Sequence, residues 1–139
     1  MYLDGDTIVD RTAFDQTKRE LGESFARILG YFREDGVKSI RAIEQAMHAE
    51  SAVALVRPAH TLKGESLQFG AEPLGLTAER IERAARDAVE MHSFPYDVAE
   101  EVAKLRPLFA ETLAYFDREV AVAAPIPARR AGGFGRKVG

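Results

Sequence analysis

Leu55-Val56-Arg57-Pro58-Ala59-His60-Thr61-Leu62-Lys63-Gly64-Glu65-Ser66-Leu67-Gln68-Phe69-Gly70 separates into two strips when its residues are placed at about 100° intervals. Leu55, Ala59, Leu62, Ser66 and Phe69 follow the spacing of a buried helix face. His60, Lys63, Gly64, Leu67 and Gln68 fall on the other strip. The imidazole therefore lies near the boundary with solvent, fixed by the helix and reachable from outside.

The neighbours of His60 suit a histidine that handles phosphate. Neutral imidazole offers a nucleophilic nitrogen near neutral pH, and its second ring nitrogen can be oriented by a hydrogen bond. Lys63, one turn on, can neutralise an incoming phosphoryl group, which carries about −1.5 to −2 charges. Gly64 costs a helix about 0.8–1.0 kcal/mol relative to alanine, and close approach by a partner is a reason to accept that loss. Gln68 can hydrogen-bond to the phosphoryl group or to a partner, and Leu67 adds apolar docking surface. Ser66 faces the apolar strip, where its small size permits helix packing. His48 and His92 lack a lysine-glycine neighbour and read as ordinary surface residues, and no histidine pair has the i, i+4 spacing of two metal ligands on a helix.

Working outward, Asp10-Arg11-Thr12 offers caps for one or two helices over Ala13–Phe32, with Gly22 as a break and Phe14, Leu21, Phe25, Ile28, Leu29 and Phe32 as the apolar face. Gly36 reads as a turn before a helix lined by Val37, Ile40, Ile43, Ala46 and Met47. Ser51 caps the histidine helix, which Pro58 should bend or restart and Gly70 should close. Pro73 suits a helix start, and Leu74, Leu76, Ile81, Ala84, Ala85 and Ala88 line the next helix to about Met91. In that helix Glu82 and the Arg80, Arg83, Arg86 series read as a solvated face with i, i+4 ion pairs. Pro95 opens the last helix, which runs to about Val120 with a kink expected at Pro107. No strand alternation with hairpin turns occurs. The expected fold is all-α, an antiparallel four-helix bundle with an additional short N-terminal helix.

The 139 residues, 46% hydrophobic and 29% charged, fit one domain with its own core. We assign residues 1–120 to the bundle and 121–139 to a flexible basic tail rich in Ala, Pro and Gly. The formal net charge is −3. All 22 acidic residues precede Val120, whereas Arg129, Arg130, Arg136 and Lys137 follow it, so the body carries 15 basic residues and a net charge of −7. Such a body argues against nucleic-acid binding. Without cysteine the chain has no thiolate nucleophile or cysteine zinc site. No Gly-rich phosphate loop supports ATP-dependent kinase activity, and neither a secretory signal nor a membrane-spanning run is seen. A cytoplasmic monomer is expected.

His60, Leu62, Lys63, Gly64, Ser66, Gly70 and Ala71 match the pattern His-x-Leu-Lys-Gly-Ser/Ala-Ser/Ala followed by Gly-Ala/Leu. In this the chain resembles the histidine-containing phosphotransfer (HPt) domain family over about 100 residues, including the helix Leu74–Arg86. Glu65 replaces the usual small residue and Pro58 is unexpected. The resemblance implies a helical bundle and a phosphorelay intermediate: His60 accepts a phosphoryl group from the aspartyl phosphate of one receiver domain and passes it to another. Lys63 would stabilise phosphoryl charge, and Gly64, Leu67 and Gln68 would meet the partner. Response-regulator receivers and a hybrid histidine kinase are the implied partners. The chain needs no cofactor of its own, since Mg²⁺ belongs to the receiver. The alternative is a non-catalytic module that sequesters a receiver or kinase without carrying phosphate.

Overall fold

Asp10 starts the first helix by accepting hydrogen bonds from the backbone N–H groups of Thr12 and Ala13 at 3.0 and 3.3 Å, donors that a helix start otherwise leaves free. The computed structural model, which describes residues 8–123, places α1 over Arg11–Leu21, a 3-10 turn over Gly22–Ser24 and α2 over Phe25–His48. Gly22 is the break, with φ 53°. Helix α3 covers Ala52–Gln68 and α4 covers Glu72–Glu90. After a second 3-10 turn over Tyr96–Val98, α5 runs over Ala99–Ala123. No strand occurs among the described residues.

Helix α2 packs on α3, α3 on α4, α4 on α5, and α5 returns to α2. This ring is an antiparallel four-helix bundle, with α1 as the short additional helix. Its core divides lengthwise. Phe14, Phe25, Phe32, Phe69 and Phe116 meet at the end covered by α1, Phe14 stacked on Phe116 at 5.3 Å between ring centroids and Phe69 contacting Phe25, Phe32 and Phe116. Ile40, Ile43, Leu55, Leu62, Ile81 and Leu105 fill the remainder. Truncating one such buried ring costs about 3–5 kcal/mol.

Three helices end in the same way. After α3, Ala71 N–H bonds Ser66 C=O at 2.9 Å and Gly70 N–H bonds Leu67 C=O at 3.1 Å, with Gly70 at φ 79°. This is the paired closure that satisfies terminal carbonyls. Glu50 and His92 occupy the equivalent left-handed position after α2 and α4, at φ 52° and 54°. Gly70 has a further constraint, because a Cβ there would lie 2.7 Å from the Asp10 carbonyl.

Several expectations are corrected. Gly36 is not a turn but lies inside α2, where a Cβ would overlap the Phe109 ring; the glycine lets α5 approach. Pro58 does not restart α3, while α5 runs through Pro107 as one helix, as expected. Each proline removes one N–H from its helix, and the carbonyl four residues earlier belongs to exposed Ala54 or Ala103, where water can replace the lost donor. Val37 and Leu76 are exposed at 39% and 43% and do not join the core. Helix α5 extends to Ala123, and the rest of the expected tail lies outside the described residues. Among the described residues no helix is long and apolar enough to cross a membrane.

Candidate functional site

Ser51 caps α3 by accepting from Ala54 N–H at 3.1 Å, and Leu55, Ala59, Leu62, Ser66 and Phe69 are fully buried along one side. That anchoring turns the other side outward. The His60 side chain is 60% exposed. At Gly64 a Cβ would meet nothing within 4 Å, so the turn after the histidine is open. Gln68 is exposed, and its backbone carbonyl accepts from Thr17 Oγ1 at 2.6 Å. Leu67 is 39% exposed but also leans on α4, its Cδ2 lying 2.6 Å from where a Gly75 Cβ would be.

The close approach at Gly75 brings the middle of α4 against the histidine helix. Glu82, only 5% exposed, is the centre of the resulting cluster. Its Oε2 lies 2.9 Å from His60 Nδ1 and accepts from Arg86 Nε at 3.0 Å. The other Arg86 nitrogen, Nη2, is 2.8 Å from the same oxygen. Lys63 Nζ forms an ion pair with Oε1 at 2.9 Å. Burial alone would push the Glu82 carboxyl upward; the opposing hydrogen bonds from Lys63, Arg86 and His60 outweigh it and hold the group at about 2.

An ionised carboxylate can only accept. The tautomer assigned to His60 therefore carries its proton on Nδ1, leaving the Nε2 lone pair unprotonated and directed away from Glu82. Beside it is a polar recess of about 190 Å³ lined by Lys63, Glu79, Glu82, Arg83 and Arg86. Arg83 is tied to Glu79 at 3.2 Å, so Lys63, Glu82 and Arg86 set the local balance at one net positive charge. An oriented nucleophile next to excess positive charge can attack an electrophilic phosphorus and receive its oxygens.

Lys63 is 24% exposed and paired with Glu82. One reading of a side chain changes here. Glu82 is not part of a solvated face. It falls in phase with Leu74, Ala78, Ile81 and Ala85, all fully buried, and a carboxylate in register with an apolar stripe was the available sign. On the α2 side, Glu65 Oε1 is buried without a hydrogen-bond partner. Burial, then a hydrogen bond and charge repulsion from Asp35, push the Glu65 carboxyl up to about 7. Ser66 is fully buried against α4, and His48 and His92 are exposed, away from this cluster. Among the described residues no group of three or more potential metal ligands occurs.

The family model described as Hpt domain matches residues 27–114. The chain belongs to the Hpt domain family. It is also similar to the crystal structure of histidine-containing phosphotransfer protein B (HptB) from Pseudomonas aeruginosa PAO1, at 21% identity and a TM-score of 0.73, covering 84% of this chain and 97% of that one. That likeness carries the fold. No curated protein matches the sequence. The family role of the Hpt domain is phosphotransfer within phosphorelays, between kinases and receiver domains.

Proposed function

We propose that this Hpt domain is a cytoplasmic phosphorelay intermediate in which His60 Nε2 accepts a phosphoryl group from a receiver aspartyl phosphate and returns it to the aspartate of another receiver. The observation carrying this reading is the contact between Glu82 and His60 Nδ1, which leaves Nε2 as the outward nucleophile. In the forward step an N–P bond forms at Nε2 as the P–O bond of the aspartyl phosphate breaks, and the aspartate departs as a carboxylate. The ring keeps its Nδ1 proton and becomes positively charged, facing the ionised Glu82. In the reverse step the departing group is a neutral imidazole, again with its proton on Nδ1.

Lys63 has three N–H donors and can reach a phosphoryl oxygen with those that Glu82 does not engage. Catalysis then rests on holding donor, phosphorus and acceptor in line and on charge already oriented before the partner arrives. Gly64, Leu67 and Gln68 border the approach, Gly64 through the space it leaves.

Replacement of the acceptor tests the reading. His60→Gln is expected to retain the helical circular-dichroism spectrum and to take up no label from a phosphorylated receiver that labels the wild-type chain. Wild-type label should be acid-labile, as a phosphoramidate is; acid-stable label, or normal labelling of the variant, would remove His60 from the role. A chain that binds receivers tightly yet never takes up label would instead be the sequestering module.

A further inference from the structure

Lys63 from α3 and Arg83 and Arg86 from α4 line the recess beside His60, and the three cations are not equally free to move. Lys63 and Arg86 are bound to the buried Glu82. If either left, a carboxylate shielded from water would lose charge-assisted hydrogen bonds that solvent does not replace. Both therefore stay in place when a new anion arrives.

Arg83 is held otherwise. Its side chain is 72% exposed, and one Nη2 contact at 3.2 Å joins it to Glu79, which lies one turn earlier on α4 and is itself 35% exposed. Exposed i, i+4 pairs of this kind add little to stability, and water can take up either partner. Of the five N–H donors on a guanidinium, the contact with Glu79 engages those of a single nitrogen.

A phosphoryl group on His60 Nε2 changes the competition for this guanidinium. It carries about −1.5 to −2 charges and three acceptor oxygens, against one charge and two oxygens on Glu79. Arginine binds such a group through two parallel hydrogen bonds, a stronger arrangement than one exposed contact. Lys63 lies only about 4.5 Å beyond His60 along the axis of α3, and it faces the same recess as Arg83. Oxygens within reach of the ammonium are therefore also in front of Arg83.

We propose that Arg83 is a phosphoryl-binding residue held in reserve: when His60 is phosphorylated its guanidinium leaves Glu79 for the phosphoryl oxygens, and when the phosphoryl group departs it returns. This rests on the phosphorelay reading above and deepens it. The exchange makes and breaks hydrogen bonds only, leaving the N–P bond and the Nδ1 proton untouched. Glu79 is thereby a competitor as well as a resting partner, and its carboxylate is released only while His60 carries phosphate.

The test uses the full chain labelled by phosphoramidate, a small donor that needs no receiver. In arginine side-chain ¹H–¹⁵N spectra the Arg83 Nε–H signal should move on labelling, further than that of Arg86, and neither should move in His60→Gln. After removal of the donor, ³¹P NMR follows the loss of phospho-His60. Arg83→Gln is expected to shorten its half-life roughly threefold, because contacts to the full dianion are worth more than contacts to the metaphosphate-like departing group. Glu79→Gln should lengthen the half-life, and the lengthening should vanish when both substitutions are combined, since Glu79 acts through Arg83. Arg80→Gln removes an equal charge from the same helix, but from a separate recess beside Pro107 where Arg80 pairs with Glu101, and should change nothing. Circular dichroism should be the same for all of these surface variants.

Normal labelling of His60 with an unmoved Arg83 signal and a wild-type half-life in Arg83→Gln would overturn the exchange and leave the acceptor assignment intact. Equal lengthening by Glu79→Gln with and without Arg83 would also overturn it, reducing Glu79 to a repulsive charge. A large shift at Arg86 in place of Arg83 would pass the role to Arg86, against the proposal. A wild-type chain that takes no label from phosphoramidate or from any phosphorylated receiver would overturn the underlying reading and the role of Arg83 with it.

Discussion

Glu82 and Glu65 are carboxylates at the two seams of one helix, and their surroundings drive them in opposite directions. At the seam between α3 and α4, Glu82 meets Lys63, Arg86 and the His60 N–H and is held at about 2. At the seam between α2 and α3, Glu65 faces Asp35, and burial together with that second acid pushes it up to about 7. Burial opposes ionisation at both positions. The neighbours decide the result: three donors turn one seam into a fixed negative charge that orients a nucleophile, while a second acid leaves the other seam to titrate near neutrality.

The most damaging way to break this contrast is to empty the first seam. Glu82→Ala is expected to lower stability by about 2–3 kcal/mol, because charged donors lose their acceptor, and to slow transfer roughly tenfold, equivalent to ~1.4 kcal/mol of transition-state stabilisation. Urea unfolding and transfer kinetics read the two effects. Glu82→Gln should recover part of both losses, since its amide oxygen can still accept from Nδ1. Imidazole ¹⁵N shifts should show the Nδ1–H tautomer retained in Gln and eroded in Ala.

Removing one donor should weaken the seam without emptying it. In Lys63→Ala the burial penalty on Glu82 remains while a counter-charge is lost, so the Glu82 carboxyl should titrate higher by ¹³C NMR. Transfer should slow by less than in Glu82→Ala. An unchanged Glu82 titration would show that Arg86 and His60 suffice.

The second seam gives a smaller effect with the opposite pH dependence. Glu65 binds its proton more tightly in the folded than in the unfolded chain, so between its ordinary value of 4.5 and about 7 the folded state holds more protons. Stability therefore falls as pH rises through that window and levels off above it. For Glu82 the sign reverses: its contribution is present above 4.5 and disappears as pH falls towards about 2. Glu65→Gln should flatten the neutral limb and raise the melting temperature at pH 8 by a few degrees, on the order expected for about 1 kcal/mol in a chain of this size. It should leave the acid limb alone. Asp35→Asn should act similarly, by replacing a like charge with a donor.

The smallest effect is expected between the seams, at Gly64. With open space around its Cβ position, Gly64→Ala should stabilise α3 by up to about 1 kcal/mol in thermal unfolding, whereas Gly64→Gln should keep the fold and reduce transfer from a receiver. Normal transfer by the Gln variant would mean that the partner does not pass over this turn.

Helix α3 was legible because its two strips differ in chemistry, the motif's Leu62 and Ser66 falling on the buried one and His60, Lys63 and Gly64 on the other. Glu82 was harder to read: its register with Leu74, Ala78, Ile81 and Ala85 pointed inward, but its i, i+4 relation to Arg86 describes a surface as well, and the approach of α3 and α4 settles which it is. Gly36 shows the same limit. Absence of a side chain favours a turn and a helix crossing alike, and the deciding partner, Phe109, is 73 residues away in sequence. At Pro58 the local cost does not end the helix, because the carbonyl that loses its donor belongs to exposed Ala54, where solvent can bear it.

Helix α1 has a consequence for the order of folding. Its ties reach far along the chain, from Thr17 to the Gln68 carbonyl across 51 residues and from Arg11 to Tyr115 across 104, whereas α3 and α4 are joined by a three-residue connection. Chain closure penalises the distant contacts more. The pairing that orients His60 against Glu82 should accordingly form early, from neighbouring sequence, and α1 should latch onto the end of the histidine helix late. Slow refolding phases, if seen, would then report the latch and not the assembly of the phosphoacceptor.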